Sequence, residues 1–207
     1  MTDIFHITHI DNLSSIIRAG ALFCDSTMNS DGVEHVGIAH MHIKARRAKR
    51  VVEIPPYGTL ADYVPFYFAP RSPMLYAING GYVEGYSEGQ GAVLHLVSSV
   101  ETILKAGLDY VFSDGHAELV ISRFYKDPSD LDKVDWDVMK SRYWNDTEDD
   151  TDRKRRRQAE FLVSNFFPWN LVERIGVING ETKKEVESII STVAYKPVVE
   201  ICGTWYY

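Results

Sequence analysis

Strand-like runs in this chain are short, and helical stretches fall between them at no fixed period. A parallel doubly wound sheet requires regular alternation, and a solenoid requires self-similar units. Neither pattern is present, so the sequence predicts an α+β fold. Phe5 to Thr8 alternates as a strand and leads into a helix with Leu13, Ile16 and Ile17 on one face, capped by Asp11 or Asn12 and stopped by Gly20. Val64 to Ala69 reads as a strand, and Ser72-Pro73 caps and opens a helix running through Leu75 and Ile78 to Gly80-Gly81. Ala92 to Val97 is an apolar strand entering a helix near Ser98 to Leu104, with Gly107 as its stop. Tyr110 to Phe112 and Glu118 to Ile121 look like strand pieces around a turn at Ser113-Asp-Gly115, before a helix around Leu131 to Lys140.

Towards the end, Glu160 to Val163, Ile175 to Ile178 and Val198 to Ile201 read as strands, and Trp169 to Val172 as a turn of helix. Thr182 and Glu185 form a capping box for a helix carrying Val186, Ile189, Ile190 and Val193. Phe23 to Asp62 is less regular, with turn signals at Asp25-Ser-Thr and Asn29-Ser-Asp-Gly32 and one helix around Val36 to Arg50. Such a stretch is usually functional. Asn145 to Asp152 reads as an exposed loop.

A length of 207 residues suits a single domain covering 1–207. No run approaches the roughly 20 apolar residues of a membrane span, the start lacks a secretory pattern, and Cys24 and Cys202 make no disulfide framework. The expectation is a cytoplasmic monomer. The formal charge of −7 ordinarily argues against a nucleic-acid partner. Positive charge, however, is concentrated in Lys44 to Arg50 and Arg153 to Arg157, while acids crowd Asp127 to Asp152. Two basic surfaces on an acidic body suit a short single strand; two solvated helix faces account for the same charges.

Common catalytic signatures fail. The glycines from Gly81 to Gly91 fit neither the dinucleotide fingerprint nor the phosphate loop, and GxSxG, HExxH and CxxC are missing. His35, His40 and His42 are close in sequence, but two of them lie two apart on an expected helix and diverge, so no metal is expected. Four features lack an easy structural account: His6-Ile-Thr-His9, the run from Tyr67 to Met74, Asp114-Gly-His116, and Glu160 heading an apolar strand.

These features, in order along the chain, resemble the DarT family of DNA ADP-ribosyltransferases. The match includes Phe5-His-Ile-Thr-His9 with Asn12-Leu13 and Gly20, then Ile43-Lys-Ala-Arg-Arg47. It continues through Asp62-Tyr-Val-Pro-Phe-Tyr-Phe-Ala-Pro-Arg-Ser-Pro-Met-Leu75, Ser113-Asp-Gly-His-Ala117 and Gln158-Ala-Glu-Phe-Leu-Val163. The resemblance implies a compact ADP-ribosyltransferase fold, with two small sheets flanking an NAD⁺ cleft and peripheral helices. It implies transfer of ADP-ribose from NAD⁺ to a nucleobase of single-stranded DNA, most readily thymidine, by the toxin of a toxin–antitoxin pair. Its partner is a DarG-like macrodomain that removes the mark.

By the same resemblance Glu160 is the catalytic carboxylate and Arg47 the second catalytic residue, with Arg46 as the alternative register. An arginine remains protonated above pH 12 or so, so it is expected to orient NAD⁺ or the base and stabilise charge. Thr8, His9, Asn12, Gly20, Arg47, Tyr67 and Met74 are expected at NAD⁺. His116, Tyr143, Trp144, Arg153 and Arg155 are expected at DNA, the aromatics offering stacking faces and the arginines phosphate contacts. Guanosine, RNA or protein acceptors stay open at this point, as does a non-catalytic nucleic-acid-binding protein.

Overall fold

A computed structural model describes residues 1–30, 36–38 and 41–207, without the side chains of Asn29, Met41 and His42. Its strands are β1 (Asp3–His9), β2 (Ala21–Phe23), β3 (Tyr63–Tyr67), β4 (Val93–Ser99), β5 (Tyr110–His116), β6 (Phe124–Tyr125), β7 (Ala159–Ser164), β8 (Phe166–Pro168), β9 (Arg174–Val177) and β10 (Val198–Ile201). Its helices are α1 (Leu13–Ala19), α2 (Asp25–Ser30), α3 (Met41–Arg47), α4 (Pro73–Asn79), α5 (Val100–Ala106), α6 (Trp136–Lys140), α7 (Arg153–Arg156) and α8 (Gly180–Ile189). The α+β expectation holds. The two sheets are unequal: eight strands in the order β10-β9-β4-β1-β3-β7-β5-β6 form one, and β2 with β8 forms the other. No described helix is long and apolar enough to cross a membrane.

Local signals explain most elements. Gly20 ends α1 at φ +72°, a left-handed conformation that favours glycine, and its N–H reaches Ile17 O. Ser72 caps α4 by accepting Leu75 N–H at 3.1 Å, with Pro73 at the first helical position. Ser99, one residue later than expected, caps α5.

Elsewhere tertiary structure overrides the local reading. Asp25-Ser-Thr opens a helix rather than a turn. Asn179, not Thr182, caps α8, because its side chain accepts the N–H groups of both Glu181 and Thr182. Asn12 makes no cap bond to α1. The anticipated strand at Glu118 to Ile121 is a turn, tied by Leu119 N–H to His116 O, and the strand begins only at Phe124.

The large sheet is antiparallel through its centre, where β1 pairs β4 from Asp3↔Ser99 to His9↔Val93, and β3 pairs β7 from Tyr63↔Ser164 to Tyr67↔Glu160. Every residue of β4 is buried, as a strand covered on both faces requires. Phe112 and Phe161 face each other with rings nearly parallel, and Tyr110 stacks on Phe161 at 4.8 Å. Each buried ring contributes about 1.5–3 kcal/mol. This aromatic layer fixes the strand that carries Glu160.

One irregularity bears on the site. The β5–β7 pairing shifts between Phe112 and His116, so the expected turn at Ser113-Asp-Gly115 is instead a bulge within β5. Bulges re-aim side chains beside active sites. Ser113 Oγ takes the Glu160 N–H at 3.1 Å and donates to Gly115 O at 2.6 Å.

Candidate active site

Glu160 is the second residue of β7 and is 4% exposed. A carboxylate that deep requires partners. Arg47, at the C-terminus of α3, donates from Nη1 to Glu160 Oε2 at 2.8 Å, and Ala117 N–H donates to Oε1 at 3.3 Å. Burial acts to lower the Arg47 pKa, but the charge and hydrogen bond of Glu160 outweigh it and hold Arg47 more firmly protonated than a free arginine. Arg46, the alternative register, points away, ion-paired with Glu118 with its side chain 56% exposed.

Tyr67 lies directly opposite Glu160 in the β3–β7 register. Burial, reinforced by the Glu160 charge, raises its pKa well above the ordinary phenol range, so the hydroxyl stays protonated. Arg47 has a second consequence. Its Nη2 is buried and has no hydrogen-bond partner among the described residues.

Arg47 forms part of the wall of a cavity of about 230 Å³ between β1, α1, α3, β3 and the start of α4. Thr8, Asn12, Tyr67 and Met74 line it, as expected from the sequence. Asn12 donates to Thr8 Oγ1 at 3.2 Å and grips Val36 through both its N–H and its carbonyl, which pins the segment 36–38 over the cavity.

Two expected NAD⁺ residues sit outside that wall. His9 is buried with Nδ1 accepting from Asp11 N–H and Nε2 against Glu88 at 3.2 Å, where it edges onto the Tyr86 ring. Gly20 serves as the helix stop, while its neighbours Ala19 and Ala21 line the cavity. His6, which the sequence reading named in its motif but did not assign to NAD⁺, also lines it. Its Nδ1 bonds Pro65 O at 2.8 Å, and burial lowers its pKa against the opposing effects of that bond and of Asp25. The spacing of two between His6 and Thr8 places both on one strand face.

The expected DNA residues divide. His116 ends β5, one residue before the Ala117 N–H that binds Glu160, and accepts Glu118 N–H at Nδ1. Tyr143 is 75% exposed, with the Arg142 guanidinium over its ring at 5.9 Å. Trp144 offers no stacking face, because it is buried against Tyr76 with its N–H on Tyr207 Oη at 2.8 Å.

The arginines also depart from expectation. Arg153 holds Tyr143 O at 2.9 Å, and Arg155 is chelated by Asp152 and bound to Asp114. Arg155 fills space that only Gly115 leaves open: a Cβ there would stand 2.2 Å from its Nη1. The run is therefore an internal fastening, with Arg156 on Asp135 and Asp150 and Arg157 buried on backbone carbonyls. His35, His40 and the side chain of His42 lie outside the described residues.

A buried carboxylate on an inner strand, locked to an arginine beside a cavity, fits an ADP-ribosyltransferase, an enzyme that breaks the glycosidic bond of NAD⁺. The sequence model described as "DarT: ssDNA thymidine ADP-ribosyltransferase" matches residues 5–207. The chain belongs to the DarT family. A DNA ADP-ribosyl transferase of Thermus sp. (strain 2.9) is 45% identical over all of this chain and 96% of its own length. The Thermus sp. 2.9 DarT structure in complex with ADP-ribosylated single-stranded DNA superposes with a TM-score of 0.93 at 44% identity, covering 100% of this chain and 96% of that one. The complex of the same protein with NAD⁺ gives 0.89 at 42% identity, covering 100% and 98%. A transferase–glycohydrolase fusion protein of Thermosipho africanus is 26% identical over 91% of this chain and 46% of the fusion.

Proposed function

We propose that NAD⁺ occupies the cavity beside Arg47, and that Glu160 and Arg47 together direct its ADP-ribose onto thymine in a short single strand. The observation that carries this reading is the divided guanidinium of Arg47, with Nη1 on the catalytic carboxylate and Nη2 buried without a partner. An unpaired buried donor costs free energy unless a ligand satisfies it, and a fork of this kind suits an oxygen or phosphate. Polar Thr8 and Asn12 and apolar Met74 on the wall fit a ligand with hydroxyl groups and a ring. NAD⁺ supplies the ADP-ribosyl group, its nicotinamide bond breaking through an oxocarbenium-like state.

The roles of the chain's own groups follow. Glu160 accepts a ribose hydroxyl and opposes the positive charge that develops on the sugar. Ala117 N–H and Arg47 hold that carboxylate aimed. Arg47 remains a cation and does not serve as a base; beside thymine it stabilises the negative charge on the ring as the N–H proton passes to water, the ring nitrogen bonds the ribose carbon and nicotinamide leaves. Tyr67 and Met74 confine the ligand, and His116 and Tyr143 meet the strand. A single strand is the cheaper substrate, because the base is already free of its pair.

In this reading the chain acts as one domain and as a monomer, in the cytoplasm and without a metal. It is the toxin partner of a macrodomain that hydrolyses the mark, a pairing supported by the Thermosipho fusion of transferase with glycohydrolase. The test is incubation with NAD⁺ and single-stranded oligonucleotides differing in one base, read by mass spectrometry, beside Glu160→Ala and with EDTA. The expected product is one ADP-ribose on thymidine-containing strands, unaffected by EDTA and lost in the variant. Modification of guanosine, RNA or protein instead would redirect the acceptor.

A further inference from the structure

The turn from Ala117 to Ser122 ends in three consecutive aliphatic side chains, Leu119, Val120 and Ile121, exposed to 43%, 86% and 71%. Exposed apolar residues are ordinary when scattered, but three in a row at the tip of a turn have no folding purpose. The turn is also held rigid. Arg50 donates to the carbonyls of Ala117 and Ser122 at its two ends, Arg155 donates to Ser122 Oγ at 3.2 Å, and Leu119 O accepts Ser122 N–H at 3.0 Å. Its first residue is the one whose N–H binds the Glu160 carboxylate. The tip is therefore fixed within a few residues of the reacting centre.

We propose that Leu119, Val120 and Ile121 form a wedge on which a nucleobase next to the target thymine stacks. The inference rests on the transfer reading above and names a binding surface which that reading leaves out. Aliphatic side chains take the place of a neighbouring base in proteins that part base steps. The turn springs from Ala117, whose N–H is 3.3 Å from the Glu160 carboxylate, so a strand delivering its base to Glu160 lies alongside it. Cations stand on both sides of it for the phosphates: Arg46 on Glu118 before the tip, and exposed Arg123 after it. Occupying the neighbouring base's stacking face prevents the target from restacking and leaves it turned toward Arg47.

The test compares the native protein with the triple variant Leu119→Ser/Val120→Ser/Ile121→Ser, whose thermal melt shows whether it is folded. The probe is a short thymidine oligonucleotide with 2-aminopurine beside the thymine. In the native protein, binding is expected to change 2-aminopurine fluorescence. In the variant, that change is lost, and both the Kd and the apparent KM for the strand rise about tenfold, roughly 1.4 kcal/mol. Val120→Leu alone keeps the native values, because it retains an aliphatic face. An unaltered Kd and fluorescence response in the folded triple variant overturn the wedge. So does a variant that keeps its DNA affinity but no longer binds a macrodomain partner, since the tip is then a protein-docking site. DNA binding with the expected fluorescence change but without a thymidine adduct supports the wedge and refutes the transfer reading.

Discussion

The two basic runs, Lys44 to Arg50 and Arg153 to Arg157, look alike in sequence and have opposite fates in the fold. In the first, the arginines bind groups of the reacting centre: Arg47 the Glu160 carboxylate and Arg50 the turn that touches it. In the second, the cations are consumed inside the molecule, Arg155 and Arg156 by four aspartates and Arg157 by carbonyls of Val138, Met139, Ser141 and Arg71. Charge density in a sequence therefore does not mark a nucleic-acid surface. Acids reach both runs once the chain is folded; what decides is enclosure, for Arg46 on Glu118 keeps its side chain 56% exposed whereas Arg155 to Arg157 are largely enclosed.

Four measurements sharpen or break that contrast. Glu160→Gln is expected to lower the transfer rate about a thousandfold, of the order lost with one preorganised electrostatic group, and to lower the melt as well, because the buried Arg47 cation loses its carboxylate. A variant retaining most of its rate would remove Glu160, the partner of the first run, from catalysis. Arg157→Met should act on stability instead. It strands buried carbonyls and costs about 3 kcal/mol in urea unfolding, with KM for NAD⁺ changed less than twofold. Burial already pulls the Arg157 pKa down to about 10, since no carboxylate bonds to it.

His95 is a buried base of the same kind that can shed its charge. Burial depresses its pKa from 6.5 to about 4, against a hydrogen bond with Pro70 O. Between those values the unfolded chain binds more protons than the folded one, so stability is full above pH 6.5 and falls as the pH drops toward 4. The His95 part of that loss is roughly 3 kcal/mol and is read as the difference in urea midpoints between the native protein and His95→Gln. The smallest effect concerns salt. Arg155→Gln should leave the slope of log affinity for single-stranded DNA against log salt nearly unchanged, whereas Arg46→Gln should reduce it by about 0.7. Equal slopes would erase the distinction between the runs.

Where residues and their partners are neighbours in sequence, the fold was legible. Gly20, Ser72 and Gly107 act as punctuation where they stand, and the strands around Phe5, Val64, Leu94 and Phe161 match the runs expected. The failures have a shared cause. The strand β8 has three residues and exists because β2 pairs with it; Asn179, by taking the N–H groups of Glu181 and Thr182, starts the helix three residues before Thr182 could cap it; and the Ser113 turn is drawn into β5 by β7. For the site, family resemblance pointed to Glu160 and Arg47, and the structure brings them together. The burial of Trp144 and the internal pairing of Arg155 depend on Tyr207 and Asp114, partners too distant for a local reading.

The pair at the centre joins residues 113 positions apart. During synthesis at roughly 5–20 residues per second, between about 6 and 23 seconds separate the appearance of Arg47 from that of Glu160. Over that interval the nascent chain holds the guanidinium but not the carboxylate. β3, which carries Tyr67, likewise lacks the strand that pairs with it on that side. In the transfer reading proposed above, a fragment that ends before Glu160 is expected to leave NAD⁺ and DNA unmodified. Products that stop before Glu160 keep the guanidinium without its carboxylate.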